Sequence, residues 1–227
     1  MAQRMITNLT SLVIVLLVWS LYFALHSAWA SRSAKAWVAT HWPRFNPYYR
    51  LAYNLAAILL LVPPLWILHI YQGAPIWSWQ GAGRWLADGL ALAAIAGFGW
   101  SLRYYDMRDF LGLRQRRAAL SGRRFTLSPL HRFVRHPWYF FGLVIIWTRD
   151  MDPTWLASCV AITMYFALGS RLEEGKLVEE FGEPYRRYQR RVPGLFPFPG
   201  HQLSHAEAAD LVAEANRLSA DRSGTTS

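Results

Sequence analysis

Residues 6–30 contain no Asp, Glu, Lys or Arg. That run is longer than the ~20 apolar residues a helix needs to cross a bilayer. A backbone threaded through hydrocarbon has to hydrogen-bond to itself, so an α-helix is the form it takes. A secretory signal is the rival reading, because Ala28-Trp29-Ala30 has the small residues of a cleavage site. The run exceeds the usual signal core, however. The segment beyond it carries Arg32, Lys35, Arg44 and Arg50 with no acid, an odd start for an exported region. The first helix is therefore read as retained.

Further apolar blocks predict spans over about 51–71, 85–102, 137–149 and 153–171. The expectation is an all-α, polytopic membrane protein of about five transmembrane helices, with a C-terminal cytoplasmic helical extension. Residues 1–200 form one membrane domain in this reading, and 201–227 a short amphipathic helix and disordered tail. Pro63-Pro64 should kink the second span, and Asn54 inside it suits a hydrogen bond across helices. Gly89, Ala93 and Gly97 at four-residue spacing suit close helix approach in the third. Residues 73–83, flanked by Tyr71 and holding Trp77 and Trp79, read as an interfacial loop. The fourth and fifth spans are short, which suits a cavity open to one membrane face. The fifth helix should run on past Arg171 and stop at Gly182 and Pro184. Ser204 and Glu207 form a capping box that opens a helix to about Leu218, and the small polar residues from Ser219 on should be disordered.

The formal net charge is +10, which on its own suits nucleic acid or an anionic membrane surface. Its distribution decides for the membrane, since the basic residues sit between apolar blocks. Residues 103–135 hold nine arginines against Asp106 and Asp109, which assigns that loop to the cytoplasm. Alternate loops then agree on an N-terminus outside and a C-terminus inside, and a bacterial inner membrane is the expected location. The single Cys159 lies in an apolar run, so no disulfide or cysteine metal site can form within one chain. His131 and His136 lack partner ligands, and no metal is expected.

Two apolar helices joined by the tight turn Arg149-Asp150-Met151-Asp152-Pro153 must bring their outer ends side by side. His136 and Glu173 should therefore meet at one membrane face, where converging polar groups mark a site. A plainer role is open to the same residues: Arg135 and His136 as headgroup anchors, Glu173 and Glu174 as the start of a solvated helix. His26 is equally open, as a substrate or cofactor contact or as an interfacial histidine. A zwitterionic nucleoside would suit a cleft with these groups, since carboxylates accept from a ribose diol or ammonium and Arg or His binds a carboxylate.

Leu130-His131-Arg132-Phe133-Val134-Arg135-His136-Pro137-Trp138-Tyr139 resembles the entry motif of integral-membrane methyltransferases that use S-adenosylmethionine. Among these are the isoprenylcysteine carboxyl methyltransferases and the phospholipid methyltransferases. Glu173-Glu174-x-x-Leu177, then Phe181-Gly182-x-x-Tyr185-x-x-Tyr188-x-x-x-Val192-Pro193, is similar to the second half of that signature, and the match covers residues 129–199. Phe23-Ala24-Leu25-His26-Ser27, Tyr49-Arg50-Leu51-Ala52-Tyr53-Asn54 and Phe110-Leu111-Gly112-Leu113-Arg114-Gln115 look like the methanethiol S-methyltransferase and NnrU-like branch. The resemblance implies that His136, Pro137, Tyr139, Gly142, Glu173, Glu174 and Tyr185 line a pocket for S-adenosylmethionine, with Arg135 nearby. It departs from the family where Phe141 precedes Gly142 and where His131 replaces a tyrosine. The implied reaction moves a methyl group to a small thiol or a lipid-like acceptor beside membrane lipid, with His26 and His136 offered as proton acceptors. A non-catalytic NnrU-like protein that supports a redox or stress pathway is the alternative.

Overall fold

The computed structural model describes residues 2–113 and 124–224, and the side chains of 9–113 and 124–221. Its helices are α1 (Ala2–Ala30), α2 (Arg32–His41), α3 (Tyr49–Ile70), α4 (Gly81–Ser101), α5 (Met107–Leu111), α6 (Pro137–Trp147), α7 (Pro153–Phe181), α8 (Glu183–Arg191) and α9 (His205–Gly224). Among the described residues the only β pairing is an antiparallel bridge between Trp77 and Met151. Segments Leu9–Ala30, Asn46–Ile70, Gly81–Tyr104 and Pro153–Phe181 are long and apolar enough to cross a membrane. Leu17, Leu21, Ile58, Leu59 and Leu65 point away from the protein. Such stripes are lipid-facing surfaces, because a soluble monomer rarely exposes so much contiguous apolar area. The chain is an all-α polytopic membrane protein. With 11 residues, α6 rises only ~17 Å, about half of the ~30 Å hydrocarbon core.

The chain forms two compact units. The first contains α1, α2, α3, α5, the start of α4 and the first third of α7. Val15, Trp19 and Leu68 are its buried centre, and Trp19 donates through Nε1 to Ser158 Oγ at 2.9 Å. Two of the sequence motifs interlock here. Asn54 Nδ2 donates to the Phe110 carbonyl at 2.9 Å, and Arg50 pairs with Asp109 at 3.0 Å. Gly112, at φ +78°, lies so close to α3 that a Cβ would sit 2.5 Å from the Leu51 amide nitrogen. The part of that motif at Arg114 and Gln115, like the stretch of the arginine-rich loop up to residue 123, lies outside the described residues. Asp152 caps α7 by accepting from the amides of Thr154 at 2.8 Å and Trp155 at 3.0 Å.

The second unit contains the rest of α4 and α7, with α6, α8 and α9. Gly97 lets the Phe141 ring approach to 2.8 Å of where its Cβ would be, whereas Gly89 has open space and Ala93 faces outward. The buried small residues of α4 are instead Ala87, Ala91 and Ala94, so the expected packing stripe holds only at Gly97. α3 stays helical through Pro63-Pro64, with Pro64 buried. As expected, α7 continues past Arg171 and ends at Gly182, whose φ of +65° favours glycine. Pro184 then occupies the first turn of α8, where a missing amide donor is harmless.

Neither α2 nor α8 was anticipated from sequence. In α8, Tyr185 and Tyr188 turn inward to join Phe125, Phe181, Val192, Leu211 and Ala215 in a buried aromatic cluster, while arginines cover the other face. The capping box opens α9: Glu207 N–H donates to Ser204 Oγ at 3.1 Å, and Glu207 Oε2 accepts from Ser204 N–H at 2.7 Å. The helix reaches Gly224 rather than Leu218, so the disorder expected from Ser219 does not hold through 224. Residues 225–227 lie outside the described residues. Asn216 ties α9 down through its amide, which clamps both backbone groups of Phe125 at 2.8 and 3.0 Å, and just beyond it Ser219 Oγ donates to the Ala215 carbonyl at 2.9 Å.

Candidate active site

The turn before α6 is tied down by its backbone. Arg135 N–H donates to the Pro193 carbonyl at 2.8 Å and His136 N–H to that of Gly194 at 3.0 Å. The Tyr188 hydroxyl donates to the His131 carbonyl at 2.6 Å. Pro137 is buried at the start of α6. These bonds aim the Arg135 and His136 side chains at the C-terminal third of α7, where Glu173 and Glu174 lie.

Glu174 is buried and fully engaged. Its Oε1 accepts from Arg135 Nε at 2.7 Å and His136 Nε2 at 2.8 Å, and its Oε2 from Arg135 Nη2 at 3.0 Å and Gln189 Nε2 at 2.9 Å. Four donors on two oxygens use the acceptor capacity of a carboxylate. Because both oxygens accept, Nε2 of His136 carries the proton in this arrangement. Arg135 also donates through Nη1 to the Gln189 carbonyl at 2.9 Å and to that of Val192. It thereby satisfies carbonyls that the end of α8 leaves without intrahelical partners. Gly194 leaves room for this, since a Cβ there would stand 3.3 Å from Arg135 Nη2.

Glu173 is different. Its side chain is 50% exposed, and Oε2 lies 3.8 Å from His136 Nδ1. Successive helical residues point ~100° apart, so Glu174 faces the protein while Glu173 faces out beside the imidazole. Tyr139 stacks on Phe166 at 4.4 Å and on His136 at 5.3 Å, both nearly parallel. Gly142 packs on the same Phe166 ring, 3.4 Å from its Cβ position. Tyr185 is 2% exposed, inside the aromatic cluster. Burial, and then the Glu174 charge, push its hydroxyl pKa well above the usual range, so it is a neutral phenol.

His26 is placed by α1 in the first unit, where its Nε2 lies 2.8 Å from the Tyr53 hydroxyl. His131 Nδ1 accepts from the Ser128 amide at 3.2 Å. Burial, and then repulsion from the neighbouring His136 ring when that is protonated, push its pKa down to about 4, so it is a neutral capping group. Gln189 and Phe166 are parts of the site region that sequence reasoning missed. Gln189 lies four residues after Tyr185 on the amphipathic α8, and that spacing was its one available signal.

The chain is 33% identical over 205 residues to methanethiol S-methyltransferase 2 of Bradyrhizobium diazoefficiens, covering 84% of this chain and 75% of the relative. It is 33% identical over 205 residues to the methanethiol S-methyltransferase of Pseudomonas deceptionensis, covering 83% and 73%. To that of Mycobacterium tuberculosis it is 30% identical over 203 residues, covering 83% and 79%. No family model matches the chain, and no solved structure matches it. Identity of this extent, over most of both chains, carries a clear conclusion: this polytopic all-α chain belongs to the methanethiol S-methyltransferase family.

Proposed function

We propose that the protein transfers a methyl group from S-adenosylmethionine to the sulfur of a small thiol, at the cytoplasmic face of a bacterial inner membrane, with its N-terminus outside. The names of its relatives support the thiol acceptor and favour an enzyme over a non-catalytic NnrU-like protein. The arginine-rich loop before α6 and the arginines of α8 support the orientation. The likeness of residues 129–199 to isoprenylcysteine carboxyl and phospholipid methyltransferases makes a lipid-like acceptor the second candidate for assay.

The observation that carries the donor site is the contrast between adjacent carboxylates. Glu174 is committed to Arg135, His136 and Gln189, and Arg135 also to backbone carbonyls, whereas Glu173 stands half-exposed beside the Nδ1 edge of His136. S-adenosylmethionine, when bound, supplies the activated methyl group. Glu173 suits its ribose diol or amino group, having open acceptor positions, and His136 Nδ1 suits a polar partner next to it. Glu174, Arg135 and Tyr185 then act from behind, holding the imidazole and α8 in place. The acceptor thiol has a pKa near ~8.5, so a nearby imidazole is enough to take its proton. His136 offers Nδ1 for this, and His26 offers a ring already bonded to Tyr53.

The test is dimethyl sulfide formation from methanethiol by the purified protein, with donor binding measured by calorimetry. Glu173→Gln should weaken donor binding at least ~10-fold, the scale of one charge-assisted hydrogen bond, and leave the Tm unchanged. Normal donor affinity in that variant would move the donor elsewhere. No methyl transfer to any thiol or lipid-like acceptor would return the reading to the non-catalytic alternative.

A further inference from the structure

The first unit holds a cavity of about 440 Å³ where α1 ends, α2 folds back and α3 begins. Trp29, Trp37, Trp42, Phe45, Tyr49 and Tyr53 line most of it. The aromatic walls brace each other, with Trp37 and Trp42 edge-on at 5.3 Å and Trp42 and Phe45 at 6.4 Å. Both hydroxyls in the lining are turned to protein partners. Tyr49 donates to the Trp29 carbonyl at 2.6 Å, and Tyr53 bonds His26 at 2.8 Å. The interior is therefore apolar and asks for no polar group from a guest.

Size narrows the guest. Cavities of roughly 300–1,000 Å³ take drug-sized molecules. A two-heavy-atom thiol fills little more than the share of two water molecules, each about 30 Å³. The cavity is built for something longer than the acceptor proposed above. Charge narrows it further. Residues 31–50 hold Arg32, Lys35, Arg44 and Arg50 and no acid, and of these Arg50 is paired with Asp109 of α5 at 3.0 Å. Arg44 is exposed and sits in the chain between two wall residues, Trp42 and Phe45. An aromatic box of this kind can hold a cationic head by its ring faces, but the excess of basic residues, with Arg44 exposed between two wall residues, disfavours a cation. A basic amphipathic helix that carries one tryptophan, Trp37, and is capped by another, Trp42, pairs instead with anionic lipid at a bilayer surface.

We infer that the pocket between α1, α2 and α3 is a specific site for an anionic phospholipid, its acyl chain in the aromatic cavity and its phosphate against the basic residues around Arg44. The inference shares no residue with the donor site proposed above and stands or falls without it. α2 is then the element that turns a membrane-surface segment into a lipid clamp.

The test uses the full chain in a neutral detergent, with thermal stability read against added dioleoyl phosphatidylglycerol, dioleoyl phosphatidylcholine, glycerol 3-phosphate or inorganic phosphate. The phosphatidylglycerol should raise Tm by roughly 5–10 °C at saturation, the phosphatidylcholine much less, and the two phosphates alone not at all. Ala52→Phe, which fills the cavity from α3, should abolish the rise. Arg44→Gln should erase the preference for the anionic head. If Ala52→Phe lowers Tm before lipid is added, Trp42→Ala serves in its place, since Trp42 is an exposed wall residue, and it too should lose most of the rise. Equal stabilisation by both lipids overturns the headgroup assignment, and stabilisation by phosphate alone overturns the chain site. An unchanged response in both cavity variants puts the lipid elsewhere and overturns the inference.

Discussion

The α6–α7 hairpin carries a cluster of charged residues at each of its two ends, and the two clusters are built on opposite principles. At the turn, Arg84 pairs with Asp88 and Asp150 at 2.9 Å each, and Arg149 with Asp88 at 3.1 Å. Every side chain there is at least 35% exposed. At the other end Arg135 and Glu174 are 14% and 9% exposed, and each bond has a buried partner. Exposed pairs contribute little because water screens them. A buried pair offsets its desolvation only while all of its bonds are made, so losing one member leaves an uncompensated charge. Ion pairs are thus replaceable at the turn and obligatory beside the proposed donor site.

Mutations can break this contrast. Glu174→Ala strands the Arg135 guanidinium and should destabilise the protein by about 3–5 kcal/mol, seen as a loss of folded protein in detergent or a large drop in Tm. An unchanged Tm would mean that the pair is not the keystone described. Next comes pH. His131 has a folded pKa of about 4 against its ordinary 6.5. The unfolded chain therefore binds the proton first, and the stability His131 contributes is full above about pH 6.5 and lost as pH falls toward 4. The loss is at most about 3 kcal/mol, from ~1.4 kcal/mol per pKa unit. His131→Tyr should flatten the Tm profile between pH 7 and 5, and an unaltered slope would show that another group carries it. Asp150→Ala at the turn should move Tm by less than about 2 °C, and a larger fall would erase the distinction between the two ends. Smallest in stability is Glu173→Gln, expected within about 0.5 kcal/mol of the parent as a surface change, although it should cost donor binding.

Much of this was legible because it depends on local physics. Charge-free runs select helices, a tight turn returns the chain, Gly182 stops α7, and Ser204 with Glu207 starts α9. The meeting of His136 with the two glutamates followed from the hairpin alone. Their division of labour did not, because adjacent residues on a helix look alike in sequence until the packed side is known. Arg135 was equally opaque, since two of its acceptors are the carbonyls of Gln189 and Val192, which no side-chain pattern encodes. α2 and α8 were hidden by their basic composition, which reads as loop. Only Ser31 ahead of α2, whose hydroxyl accepts from the Ala34 amide at 3.1 Å, and the Tyr185–Tyr188 spacing in α8 signalled helices. The tail misled for the opposite reason: the small polar residues from Ser219 suggested disorder, while the helix whose Ala215 and Asn216 belong to the core runs on to Gly224.

That last feature bears on how the molecule can be handled. Trimming a hydrophilic-looking terminus is a common step in preparing membrane proteins for crystals. Here a cut before His205 would strip Leu211 and Ala215 from the aromatic cluster and leave Phe125 without its amide clamp. The wet exterior of this protein hides a plug, and the safe place to shorten it lies beyond residue 221.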